Sequence, residues 1–154
     1  MKEMKVLMVC LGNICRSPLA EGVLSDKIKK AGLNWQVDSA GTSNYHIDEE
    51  PDPRSQENAL QHDINISHLR GRQFVKEDFQ FFDKIYVMDD SNYQNVVKLA
   101  SNQEDTDKVD LLLNQANPGS NHNVPDPYFG GSGGFENVFQ LIDKACDAII
   151  KQYS

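Results

Sequence analysis

The stretch of the chain richest in possible chemistry is Cys10-Leu11-Gly12-Asn13-Ile14-Cys15-Arg16-Ser17-Pro18, in which five residues separate a cysteine from an arginine. A tight loop running into a helix start turns several backbone N–H groups toward one point, and the helix dipole adds positive potential there. Such a point suits a phosphate. The same N–H groups would stabilise Cys10 as a thiolate, the nucleophilic form of cysteine. Arg16 can grip two phosphate oxygens at once and meet the charge that develops during transfer, which lysine does less well. Ser17 can donate its hydroxyl to the sulfur, making it a better leaving group. Gly12 lets the backbone approach a ligand, and Asn13 tolerates a left-handed backbone better than other non-glycine residues. Transfer of phosphate from an aryl ester also needs an acid for the departing oxygen. Asp126 is the candidate, in the loop Asp126-Pro127-Tyr128-Phe129-Gly130-Gly131, where proline stiffens the backbone and aromatic rings can line a pocket.

These residues need a scaffold. Lys5–Cys10 reads as a short buried strand, and apolar residues at Ala20, Val23, Leu24, Ile28 and Ala31 follow at helical spacing. Ser17 suits the N-cap, Pro18 the first helical position, and Gly32 stops the helix. Trp35–Ser39 is a second strand candidate, followed by a polar loop from Gly41 to Pro53. Arg54–His62 reads as a helix, Lys84–Met88 as a strand, Ser91 as the cap of a helix to about Leu99, and Lys108–Leu113 as the last strand. From Phe135 to Tyr153 apolar residues recur at three- and four-residue steps, an amphipathic helix that must pack on a sheet. Alternating strands and helices predict an α/β fold with a mainly parallel sheet, whose ligands sit at the carboxyl ends of the strands. The loop after Cys10 lies at such an end.

A length of 154 residues predicts a single domain, residues 1–154, with one core. A formal net charge of -8 argues against a general affinity for nucleic acid or anionic membrane, so an anion site must be local. The three cysteines, Cys10, Cys15 and Cys146, show neither a secreted disulfide framework nor metal-ligand spacing. Free thiols in the cytoplasm are expected. The N-terminal apolar run, Val6 to Leu11, is too short for a signal peptide core or a membrane span. His46, His62 and His122 show no ligand spacing and read as structural or solvent-facing.

Taken together, Val9–Pro18 and Asp126-Pro127-Tyr128 resemble the phosphate loop and the late acid motif of the low-molecular-weight protein tyrosine phosphatases. Asp38-Ser39-Ala40, Pro51-Asp52-Pro53-Arg54, Arg72-Gln73 and Met88-Asp89-Asp90-Ser91-Asn92 match internal landmarks of that family in order, so the resemblance covers essentially the whole chain. It implies a four-stranded parallel sheet flanked by helices and hydrolysis of phosphotyrosine through a phosphocysteine on Cys10. Arg16 would bind phosphate and Asp126 would act first as acid and then as base, with no metal or organic cofactor. By the same resemblance Leu11, Gly12, Asn13, Ile14, Cys15, Ser17, Tyr45 and Tyr128 would contact substrate, and Asn13, Ser17, Ser39 and His68 would form a hydrogen-bonded group behind the loop. Cys15 would be able to form a reversible disulfide with Cys10. Phe129 stands where many members carry a second tyrosine, so regulation by phosphorylation there is lost. The implied partner is a phosphotyrosine-containing protein, with neither nucleic acid nor membrane, met by a monomer or weak dimer.

Other chemistries share parts of this pattern. Arsenate reductases on the scaffold pass oxidation to two later cysteines, whereas only Cys146 follows the loop here. Arginine phosphatases of the scaffold typically have Thr where this chain has Ile14. A phosphocysteine carrier has no need of an acid for a phenol, so Arg16 and Asp126 argue against it, and a module that only binds phosphate does not require a nucleophilic cysteine.

Overall fold

The first strand, β1 (Met4–Cys10), is buried along nearly its whole length, as expected of a central strand covered on both faces. The computed structural model describes residues 3–129 and 133–154. Strands β2 (Trp35–Gly41), β3 (Lys84–Val87) and β4 (Val109–Leu111) complete a four-stranded sheet in the order β2-β1-β3-β4. All three pairings are parallel. Side chains alternate across β1. Val6, Met8 and Cys10 join the core under helices α1 (Arg16–Ala31) and α6 (Gly134–Tyr153), while Leu7 and Val9 join the core on the opposite face with Phe74, Phe79, Phe82 and Val96. The chain leaves β1 for one neighbour and later returns to pair on its other side. That reversal opens a crevice at the carboxyl end of β1, where Cys10 sits.

The remaining helices are α2 (Pro53–Gln61), α3 (Asp78–Phe81), α4 (Asp90–Val97) and α5 (Gln103–Asp107). Helix α1 ends as predicted, with Gly32 in a left-handed conformation at φ 65°. Its start differs from the prediction. The helix begins at Arg16 with Cys15 in the cap position and no side-chain cap, so Ser17 lies in the first turn with its hydroxyl turned to Cys10. Pro18 in that turn removes an N–H that has no intrahelical partner in any case. Helix α4 is capped by Asp89, not Ser91: Asp89 accepts from Asn92 N, and Asn92 accepts from Asp89 N. The predicted strand Lys108–Leu113 shortens to three residues, and Leu112–Gln115 forms a 3₁₀ turn.

Candidate active site

The loop from Cys10 to Arg16 closes tightly around the sulfur. Asn13 takes the left-handed conformation at φ 57°, which aims its N–H at Cys10 Sγ, 3.2 Å away. Close packing holds this shape. A Cβ on Gly41 would strike Leu11 O at 2.7 Å, and one on Gly71 would meet the backbone of His46. Gly12 is restricted by a neighbouring side chain, since its Cβ would come within 3.1 Å of His46 Cδ2.

Behind the loop the hydrogen bonds have a definite direction. Asn13 Oδ1 accepts from Arg72 N at 3.0 Å, so the amide nitrogen must face the other way. It donates to Ser17 Oγ at 2.7 Å and to Ser39 Oγ at 3.0 Å. Ser17 Oγ also lies 3.0 Å from Cys10 Sγ and 3.4 Å from Ala40 O; toward a thiolate, which has no proton to give, the hydroxyl is the donor. Ser39 Oγ in turn donates a hydrogen bond to Glu21 Oε1 at 2.6 Å. Burial pushes the Glu21 carboxyl up to about 7, although the Ser39 bond works the other way.

Arg16 is nearly buried, and its Nη1 is held by Asp89 Oδ2 at 2.8 Å and by Val124 O at 2.9 Å. Its Nε and Nη2 make no bond among the described residues. That edge of the guanidinium is the one able to grip an oxyanion with two parallel bonds.

Cys10, Leu11, Gly12, Ile14, Cys15, Arg16, Tyr45, Asp126 and Tyr128 line one cavity of about 120 Å³, joined by His46. Asn13, Ser17 and Ser39 stand behind it. Asp126 accepts from Tyr128 N at 3.0 Å, a turn that sets the loop at the cavity mouth. The Tyr128 hydroxyl donates to Asp52 Oδ2 at 2.8 Å and accepts from the Cys15 thiol at 3.1 Å. Burial pushes the Cys15 thiol up to about 11, so at neutral pH it remains a thiol. Burial opposes ionisation of Asp52 too, but bonds from Arg54 and Tyr128 hold it below the usual carboxylate range. Arg54 lies over the Tyr128 ring, 4.6 Å from its centroid, and steadies that wall.

Two histidines depart from expectation. His68 is exposed and makes no hydrogen bond to the Asn13, Ser17 and Ser39 group among the described residues; Glu21 ends that chain instead, and His68 lines a surface cavity with Glu21. His46, read as structural or solvent-facing, is part of the wall of the cavity that holds Cys10, with Nδ1 3.1 Å from Glu49. The sequence reading also gave no role to Glu21, Asp89, Arg72 or the Val124 carbonyl. Asp89 and Arg72 do lie in the landmark segments, which was the available signal. Among the described residues no group of three or more His, Cys, Asp or Glu is placed to hold a metal ion. Cys146 is fully buried in the α6 core.

A family model described as low molecular weight phosphotyrosine protein phosphatase matches residues 5–154. The human low molecular weight phosphotyrosine protein phosphatase is 43% identical over 150 residues, 96% of this chain and 94% of that protein. Among solved structures, a protein tyrosine phosphatase from Entamoeba histolytica matches with a TM-score of 0.89 and 35% identity, covering 97% of this chain and 96% of that one. A Drosophila arginine phosphatase matches with a TM-score of 0.90 and 35% identity, covering 98% of each chain.

Proposed function

The chain belongs to the low molecular weight phosphotyrosine protein phosphatase family and is a protein tyrosine phosphatase, and from that premise we propose how its own residues carry out the reaction. Cys10 Sγ attacks phosphorus in line with the tyrosine oxygen, and the P–O bond breaks as Asp126 gives its proton to that oxygen. The free edge of Arg16 and the loop N–H groups hold the phosphoryl oxygens through the transition state. Water then attacks the phosphocysteine while Asp126 takes its proton. Cys10 leaves as a thiolate, met by the Asn13 N–H and the Ser17 hydroxyl. Tyr45, Tyr128, Leu11 and Ile14 form the walls for the phenyl ring.

The observation that carries this reading is that nucleophile, anion-binding arginine and acid line one cavity. Since these residues supply nucleophile, charge and proton, the proposed steps call on no cofactor. The sister chemistries fit less well. Cys146, the one cysteine after the loop, is sealed in the core and has no route to serve an arsenate relay. Ile14 lines the cavity and presents an apolar wall, suited to a phenyl ring. The expected setting is the cytoplasm, which three buried free cysteines support; among the described residues no helix is long and apolar enough to cross a membrane.

The test is phosphate release from a phosphotyrosine peptide without added metal, for the parent, Cys10→Ser and Asp126→Asn, with phosphoarginine and arsenate run in parallel. Turnover of phosphotyrosine that vanishes in Cys10→Ser and falls sharply in Asp126→Asn supports the assigned roles. Turnover of phosphoarginine or arsenate alone would replace them.

A further inference from the structure

The catalytic cavity opens onto a second groove. Leu11 and Tyr45, two of its wall residues, also line a surface groove of about 500 Å³ whose far side carries Asn95 of α4 and Lys98 and Leu99 of the turn that follows it. Leu11 is 48% exposed, Tyr45 72% and Leu99 39%, so three of the eight large hydrophobic side chains exposed among the described residues gather in this one place. An apolar strip continuous with a reaction centre is the kind of surface that a substrate covers.

Charge sets this groove apart. The chain carries 23 Asp and Glu against 15 Lys and Arg, and the cavities lined by Glu21, by Asp110, by Glu57 and by Asp126 each present at least one carboxylate. This groove has none. Its one charged residue is Lys98, which is exposed and makes no ion pair among the described residues. The cavity on the other flank, beyond Tyr128, is different: it holds Glu57 and Glu136, and its cation Arg54 is already paired with Asp52 and stacked on two aromatic rings.

We propose that the Leu11–Leu99 groove binds the substrate polypeptide on one side of the phosphotyrosine, selecting an apolar residue over Leu11 and Leu99 and an acidic side chain at Lys98. The proposal rests on the phosphotyrosine reading above. An extended chain advances about 3.3 Å per residue, so the two or three residues beside the phosphotyrosine are the ones concerned. The Asn95 amide offers a donor and an acceptor to their backbone. Because the Tyr128 flank carries carboxylates, the preference for acid is confined to one side of the phosphotyrosine.

The test compares kcat/KM for phosphotyrosine peptides bearing Glu, Ala or Lys at each of the three positions on either side, with para-nitrophenyl phosphate as a substrate that has no flanks. The parent, Lys98→Glu and Lys151→Glu are assayed, the last being an equal charge change about 25 Å along α6 from its start. The parent is expected to favour Glu over Lys by about fivefold on one flank only, a preference that disappears or reverses in Lys98→Glu and persists in Lys151→Glu. Para-nitrophenyl phosphate turnover stays within about twofold in all three. Peptides turned over without a one-sided preference, or with one that survives Lys98→Glu, would overturn the groove and leave the phosphatase standing. A folded, reduced parent that turned over neither peptide nor para-nitrophenyl phosphate would overturn the phosphatase reading itself.

Discussion

Asp89 divides its two oxygens between Arg16 and helix α4: Oδ2 takes Arg16 Nη1 at 2.8 Å and Oδ1 takes Asn92 N at 2.8 Å. One carboxylate thus orients the Arg16 guanidinium, the proposed phosphate binder, and caps the helix that follows β3. The two tasks separate by substitution. Asn is as good a cap as Asp but carries no charge for Arg16, whereas Ala loses both functions. Asp89→Asn should therefore lower kcat/KM about tenfold with little loss of stability, and Asp89→Ala should match that loss and cost about 1 kcal/mol more in chemical denaturation.

Ser17 Oγ lies 3.0 Å from Cys10 Sγ, and in the proposed mechanism its hydroxyl donates to the sulfur most strongly when that atom carries full negative charge as it leaves phosphorus. Ser17→Ala should slow hydrolysis of the phosphocysteine more than its formation. Rapid-mixing experiments should show a burst of released phenol followed by a steady rate about 10- to 100-fold below the parent, the range expected for losing a hydrogen bond to a charged atom. Equal slowing of both phases would count against this role.

Asn13 combines a left-handed backbone with three side-chain hydrogen bonds, to Arg72 N, Ser17 and Ser39. Gly in its place keeps the backbone and loses the bonds. Ala loses both, and a left-handed conformation costs a residue with a Cβ about 1–2 kcal/mol. Urea denaturation should rank the parent above Asn13→Gly and Asn13→Gly above Asn13→Ala, with kcat reduced in both variants.

The Glu21 carboxyl is raised to about 7 by burial, so the folded protein holds that proton more tightly than the unfolded chain does. Between the unfolded value near 4.5 and about 7 the native state binds more protons, and stability must fall as pH rises. The contribution is fully present below the unfolded value and is lost on passing through the folded one, on the order of 3 kcal/mol. Glu21→Gln, which keeps an acceptor for Ser39, should flatten this part of the profile. Melting curves from pH 4 to pH 8 would show it; identical pH slopes in the two proteins would contradict the account.

The elements that carry the chemistry were legible because their signals are local. Cys10 to Pro18 is a contiguous run whose residue types point to a phosphate loop, and the short buried strand before it and the amphipathic helix from Phe135 onward announce themselves by pattern. The misreadings come where one local signal serves two structures. Ser17-Pro18 reads as a cap whether the hydroxyl turns to the backbone or to a sulfur seven residues away. Asp89-Asp90-Ser91 offers several capping residues in a row, and the reciprocal bonds with Asn92 together with the tertiary contact to Arg16 favour the first. Helices α3 and α5, of four and five residues, are too short for periodicity to register. Glu21 was hidden for another reason: its role exists only where α1 packs beside Ser39 of β2. His68, carried into the loop-supporting group by resemblance, lies exposed, and the bond to Ser39 goes to Glu21 instead.

The central claim is covalent transfer of phosphate to Cys10, and the most direct test is to stop the reaction within milliseconds of mixing with a phosphotyrosine peptide and locate the phosphate by mass spectrometry under conditions that preserve phosphocysteine. The account predicts a phosphate group on the peptide containing Cys10, formed with a burst of dephosphorylated product and absent from Cys10→Ser. Steady hydrolysis with no phosphorylated Cys10 at any time, or full activity in Cys10→Ser, would contradict it.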